Sequence, residues 1–508
     1  MDRLNRRDWF FIAVCVVLFA VSLGIALTNF SRAFPEASID FRVDRGASRL
    51  IAERVLQREQ VAFAGLRNTA SFESDDDAKI FLERTLGVDR ARSVMRNDVR
   101  LWSWHQRWFK PLQEEELSVD VAPTGEVIAF THKIPEDRAV PTPDIVTARG
   151  LAEAFLVRNG LKLASVQLVA QSERNLPHRI QRIFTWDSKS VRPGGAPYRT
   201  IVTVDGNTIT SFSQHIRVPD DWQRSYRELR SKNSLAGFID SMFLLITMIA
   251  ALAVFIIRLL RRDLALRFLL GIAIASVILT AGAALNSYPA AVASYDTTTS
   301  FPAFIAQYAV FYVAMPAFGT AMLLVVLCGA GEVLFRERSP QQIAIPRIWS
   351  FRALGSKRVF RSFVLGYTLV PFFLAYQVVF YIIASKFGAW SPLEVPYDEM
   401  LNSAFPWMAV LFAGFFPALS EEFMSRAFSL PFLERILRSR IAAIVVAGFI
   451  WSFGHSTYAN QPFYIRGVEV GIAGIALGFL FFRFGLLPLL IWHFTVDAFY
   501  TALLLFRS

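Results

Sequence analysis

Ser420-Glu421-Glu422-Phe423-Met424-Ser425-Arg426 closes an apolar run that reads as long enough to cross a bilayer. Trp451-Ser452-Phe453-Gly454-His455 and His493-Phe494-Thr495-Val496-Asp497 lie in two further runs of the same kind. An ionisable side chain at a bilayer centre costs about 2.5–3.5 kcal/mol on insertion scales, so such residues face a bundle interior and act there. Two adjacent carboxylates, an arginine, two histidines and an aspartate in this setting point to one catalytic centre inside a membrane protein.

Outward from these stretches, apolar windows fall near 236–257, 264–285, 301–330, 363–385, 403–422, 441–459, 467–482 and 485–506. One more, from Trp9 to Leu27, follows Arg3, Arg6 and Arg7. It approaches the ~20 residues of a full span and lacks a small-x-small cleavage site, so it reads as an uncleaved anchor. The expected fold is thus a polytopic α-helical membrane protein of about nine spans, with an inserted α+β domain outside the cytoplasm. The partition is 1–29 anchor, 30–235 soluble domain, 236–358 linking helices and 359–508 core.

Basic residues orient the chain. Arg258, Arg261 and Arg262 end one span, seven Lys or Arg lie between Arg336 and Arg361, and Arg435, Arg438 and Arg440 precede another span. All fall on the side of the N-terminus, while the loops 286–300 and 386–402 hold only Lys386. The positive side is cytoplasmic, which places the N-terminus inside and the soluble domain outside, in the plasma (inner) membrane.

Composition agrees with a chain of two unlike parts: 54% hydrophobic residues, mean hydropathy +0.39 and 47 phenylalanines. The net charge of +11 comes from arginines flanking apolar runs, not from a basic face, so no nucleic-acid partner is expected. Cys15 and Cys328 both sit in apolar segments, which leaves no disulfide framework and no cysteine zinc site.

Within the soluble region, Ala148 to Asn159 has helical spacing. Leu117–Phe130 and Thr200–Phe212 read as hairpins turning at Ala122-Pro123-Thr124-Gly125 and Asp205-Gly206-Asn207. Each hairpin follows an aromatic segment, Trp102-Ser103-Trp104 or Phe184-Thr185-Trp186, and meets Ile134 or Ile216 four residues after Phe130 or Phe212. The region therefore carries an internal repeat. The pattern resembles PepSY-type modules, which would imply a binding or inhibitory role; a generic sheet domain fits it equally. His105, His132, His178 and His215 show no metal-ligand spacing and read as ordinary histidines.

Glu421 and Glu422 point about 100° apart on a helix, and Glu422 can pair with Arg426 four residues on. One carboxylate is then free to act as a general base, since crowding in a low dielectric favours a carboxyl that accepts protons near neutrality. His493 and Asp497 share a helical face. Two mechanisms fit. A glutamate and His455 can deprotonate a water that attacks a peptide carbonyl, while His493 and Asp497 meet the tetrahedral oxygen. Alternatively, both histidines and a carboxylate can bind zinc, although the H-E-x-x-H arrangement is absent. Asp497 can also simply orient His493.

The order Glu-Glu-x-x-x-Arg, aromatic-x-x-x-His, His-x-x-x-Asp on successive apolar segments resembles the CPBP (ABI) family, which includes the type II CAAX prenyl proteases. The resemblance covers about 360–506. It implies a glutamate-type intramembrane endopeptidase, labelled a metalloprotease in older usage, acting on a membrane-associated peptide or protein. Glu421 would activate water, Glu422 and Arg426 would complete the first motif, and His455 would assist the water. His493 and Asp497 would form the oxyanion pair. Trp451 stands where the family usually has Phe, and Asp497 where the prenyl proteases have Asn. A charged carboxylate there would repel an oxyanion. The alternative is a non-catalytic membrane scaffold or a bacteriocin-immunity-type binding protein.

Overall fold

The computed structural model describes the whole chain except residues 1–3, 35–38, 349, 393–399 and 506–508. Among the described residues seven helices are long and apolar enough to cross a membrane: Arg6–Ala33, Asp220–Leu260, Leu266–Asn286, Phe301–Arg338, Lys357–Ser385, Trp407–Leu437 and Ile465–Phe484. This is an integral membrane protein. The windows at 441–459 and 485–506 come out differently. The first holds a 14-residue helix, Arg440–Phe453, that gives way to a tight turn at Gly454–Thr457. At 1.5 Å per residue such a helix rises only about 21 Å. The second holds the 19-residue helix Leu487–Leu505, and position 506 lies outside the described residues.

A second difference matters more for chemistry. Hydropathy ends the 403–422 window at the acidic pair, which puts Glu421 at a membrane edge. The helix instead runs unbroken from Trp407 to Leu437, so Glu421 sits near its middle. Between Glu422 and Ser429 it widens into a π-type turn, with Ser429 Oγ donating to the carbonyl of Met424 at 2.8 Å. Such widenings concentrate at functional sites.

The helical core packs Leu327, Leu334, Phe423, Phe428, Trp451 and Trp492, all buried. Gly467, Gly471, Gly474 and Gly478 form a stripe on Ile465–Phe484 against Arg440–Phe453. A Cβ on Gly474 would come within 2.9 Å of the Trp451 ring. Small residues at that interface let the two backbones approach and seat the indole between them.

Between the first two long helices stands one antiparallel sheet of eight strands. These are β1 (Arg67–Ser74), β2 (Trp102–Phe109), β3 (Glu116–Val121), β4 (Val127–Lys133), β5 (Val166–Leu176), β6 (Arg179–Ser188), β7 (Tyr198–Asp205) and β8 (Thr208–Ile216). The order is β1-β2-β3-β4-β8-β7-β6-β5. A helix, Arg45–Arg58 or Ile145–Arg158, precedes each set of four strands. The halves join where β4 meets β8, with Phe130 directly opposite Phe212. Ala52, Leu56, Ala152, Phe155, Trp108, Phe184 and Trp186 fill the space between helices and sheet. Fully burying a large apolar side chain of this kind contributes about 1.5–3 kcal/mol.

His105 on β2 faces Asp120 on β3 at 2.5 Å. Burial pushes its pKa down, but the Asp120 hydrogen bond and the charges of Asp120 and Glu73 outweigh that and hold it above 6.5. The pair's contribution is therefore full below the unfolded value and fades as pH rises through the folded one. Thermal unfolding of the full chain in detergent checks this. His105→Gln should cost up to about 1 kcal/mol at pH 5.5 and progressively less toward pH 8.5. A pH-independent cost would contradict it.

Candidate active site

The three stretches converge. Glu421 and Glu422 come from the middle of Trp407–Leu437, His455 from the turn closing Arg440–Phe453, and His493 and Asp497 from Leu487–Leu505. Glu421 Oε2 lies 3.9 Å from His455 Nε2 and 3.8 Å from His493 Nε2. His493 Nδ1 meets Glu422 Oε1 at 2.8 Å, and its Nε2 is 3.4 Å from Asp497 Oδ2. Arg426 donates to the same Glu422 oxygen at 2.9 Å. All six residues singled out in the sequence share one site.

Burial divides them into two layers. Glu422 is fully buried, Arg426 is 2% exposed and His493 6% exposed. They form a sealed chain from guanidinium to carboxylate to imidazole. Glu421, Asp497 and His455 keep 26%, 30% and 21% of their side-chain surface accessible. The two adjacent glutamates thus have different surroundings: one holds neighbours in place, the other faces open space.

The helix end explains how His455 is aimed. The last carbonyls of a helix have no partner within it. His455 Nδ1 sits 3.0 Å from one of them, that of Trp451. A carbonyl only accepts, so Nδ1 carries the hydrogen and Nε2 turns toward Glu421.

Trp451 contributes more than its position as an aromatic spacer suggests. Its indole N–H donates to Glu421 Oε2 at 2.5 Å, and the Arg426 guanidinium lies 3.8 Å from its ring centroid. A phenylalanine would keep the cation–π contact and lose the donor. The visible signal was the exchange of Phe for Trp itself. Sequence reading also passed over Glu469, which is fully buried and paired with Arg466. The signal was an arginine and a glutamate three apart at the start of an apolar run.

Zinc needs donor atoms converging on one point about 2.0–2.2 Å away. Among the described residues no group of three His, Cys, Asp or Glu has an arrangement that holds a metal ion. Glu421 Oε2 is already engaged by the Trp451 indole, and His493 Nδ1 by Glu422. The donor set does not fit the metal.

Comparison with known proteins finds similarity over this same part of the chain. Residues 403–499 match the family described as type II CAAX prenyl endopeptidase Rce1-like. The sporulation-killing factor biosynthesis protein SkfC of Bacillus subtilis (strain 168) is 30% identical over 77 residues, 15% of this chain and 16% of SkfC. The match thus spans about one sixth of that relative. No solved structure matches the chain significantly. The matched segment contains all six site residues, and over that segment this membrane protein is similar to the CPBP family.

Proposed function

We propose that the chain is an intramembrane endopeptidase that cleaves a membrane-associated peptide or protein with a water activated by Glu421. The observation carrying this reading is that both histidine Nε2 atoms stand 3.8–3.9 Å from one oxygen of a partly accessible glutamate. That separation is too long for direct hydrogen bonds, yet one water can touch Glu421 and His455 together. Glu421 takes a proton from this water, and its oxygen attacks the acyl carbon. The tetrahedral oxygen gathers charge beside His493 Nε2, whose ring is held through Nδ1 by Glu422 and Arg426. As the C–N bond breaks, the proton passes from Glu421 to the leaving amine. Basic residues at helix ends favour a cytoplasmic N-terminus in the plasma membrane. The sheet unit then lies outside as a docking or sensing module.

Asp497 sits close enough to accept from His493 Nε2 but, as a carboxylate, has no hydrogen to offer an oxyanion. Its role in this reading is to hold the His493 ring until substrate arrives. Incubating the reconstituted full-length protein with a library of membrane-anchored peptides tests the proposal, with cut sites mapped by mass spectrometry. Internal cleavage is expected; binding without turnover would favour a scaffold. In the same assay Asp497→Asn should keep its activity or gain up to about tenfold, because an amide adds a donor facing the oxyanion. A tenfold loss would show that the carboxylate itself is needed.

A further inference from the structure

The helix Asp220–Leu260 lies outside the family match, yet one of its faces is built against the segment that carries His455. Asn233, Gly237 and Asp240 are spaced to share that face. The Asn233 amide donates to the carbonyls of Ser456 at 2.9 Å, Tyr458 at 2.9 Å and Asn460 at 3.1 Å. Its own carbonyl accepts from Gln461 Nε2 at 2.6 Å, and the residue is 1% exposed. One turn on, Gly237 leaves no room for a side chain, since a Cβ there would collide with Thr457 Cγ2. Asp240 then lies under Gly454, where an added Cβ would stand 3.0 Å from its Oδ2.

The segment needs this support. After Phe453 the chain leaves the α-helix, and the carbonyls of Ser456, Tyr458 and Asn460 have no helical partner of their own. A buried carbonyl without a donor costs about 1–3 kcal/mol. One asparagine amide, with its two hydrogens, is shared among all three. Toward the sheet, the same helix carries Trp222, which packs edge-on to Phe81 at 5.3 Å and stacks on Tyr226. Trp390, beside Tyr226, pairs through its backbone with Gln461.

We infer that Asn233 is a positioning residue for catalysis: it fixes the 454–460 segment so that His455 Nε2 faces Glu421, which makes the helix descending from the sheet unit part of the active site. This rests on the reading of His455 as the residue that orients water. Two variants test it in the full-length protein, Asn233→Ala and Gly237→Ala. The second keeps the asparagine and displaces Thr457, so it serves where the first fails to fold. Carbethoxylation of His455 and His493 by diethylpyrocarbonate, followed by mass spectrometry, reads ring accessibility without any substrate. His455 should react several-fold faster in either variant while His493 stays at its wild-type rate. With a cleavable peptide, kcat should fall about 10- to 100-fold with KM little changed, the expected result of small misplacement. Unchanged His455 labelling, or faster labelling with wild-type kcat, overturns the inference. A wild-type protein that cleaves nothing would sink the protease reading, and the labelling result would still decide whether Asn233 holds His455.

Discussion

Glu421→Gln is expected to lower kcat/KM by about 10²- to 10⁴-fold, the usual contribution of a positioned general base. Stability should barely change. The side chain is 26% accessible, and it accepts a short hydrogen bond from the Trp451 indole N–H at 2.5 Å. A glutamine oxygen accepts that bond equally well, so the shape and the local hydrogen bonding survive. What disappears is the capacity to take a proton from water and return it to the amine. Cleavage kinetics on a mapped peptide, with unfolding followed in parallel, separate the two. If Glu421→Gln cleaves at the wild-type rate, the base lies elsewhere.

Arg426→Ala should destabilise the protein by about 3–5 kcal/mol, the cost of stranding one partner of a buried ion pair. Glu422 is fully buried and Arg426 is its charged neighbour on the same helix. Removing the guanidinium also strips the cation from the face of Trp451 and leaves His493 Nδ1 to satisfy Glu422 alone. Activity should fall too, as a consequence of His493 losing its fixed orientation. Thermal unfolding in detergent checks the magnitude. A loss under about 1 kcal/mol would mean that the pair behaves like a solvated surface bridge.

The two substitutions separate what was legible in the sequence from what was not. That one glutamate pairs with Arg426 follows from helical spacing, and so does the shared face of His493 and Asp497. Which glutamate stays accessible depends on what surrounds each side chain. Only packing against Leu487–Leu505 decides that: it buries His493 over Glu422 and leaves Glu421 facing open space. The helix extends past the apolar window for a specific reason. Glu421, Glu422 and Arg426 depress local hydropathy and end the apolar window, although the charges satisfy one another within a continuous helix. The turn at Gly454–Thr457 does carry ordinary breaker signals, Gly454-His455-Ser456-Thr457 followed by Asn460-Gln461-Pro462, but a hydropathy window averages them with the apolar residues before Phe453.

In the sheet, alternation and glycine turns marked the hairpins, and Phe130 and Phe212, alike in sequence context, turn out to be direct neighbours. The outer strands β1 and β5 carry no comparable signal. β5 is mostly exposed along its length, so it lacks the in-and-out pattern that reveals a half-buried strand. Asn233 was invisible for another reason. Its partners are backbone carbonyls more than two hundred residues away, and a carbonyl leaves no trace in the identity of a residue.

Single-turnover cleavage in water enriched in oxygen-18 tests the central claim most directly. A water activated by Glu421 places one heavy oxygen in the new carboxylate of the amino-terminal product and leaves the protein unmodified. An acyl intermediate trapped on a serine or on Glu421, or product formed without the label in its first turnover, would contradict it.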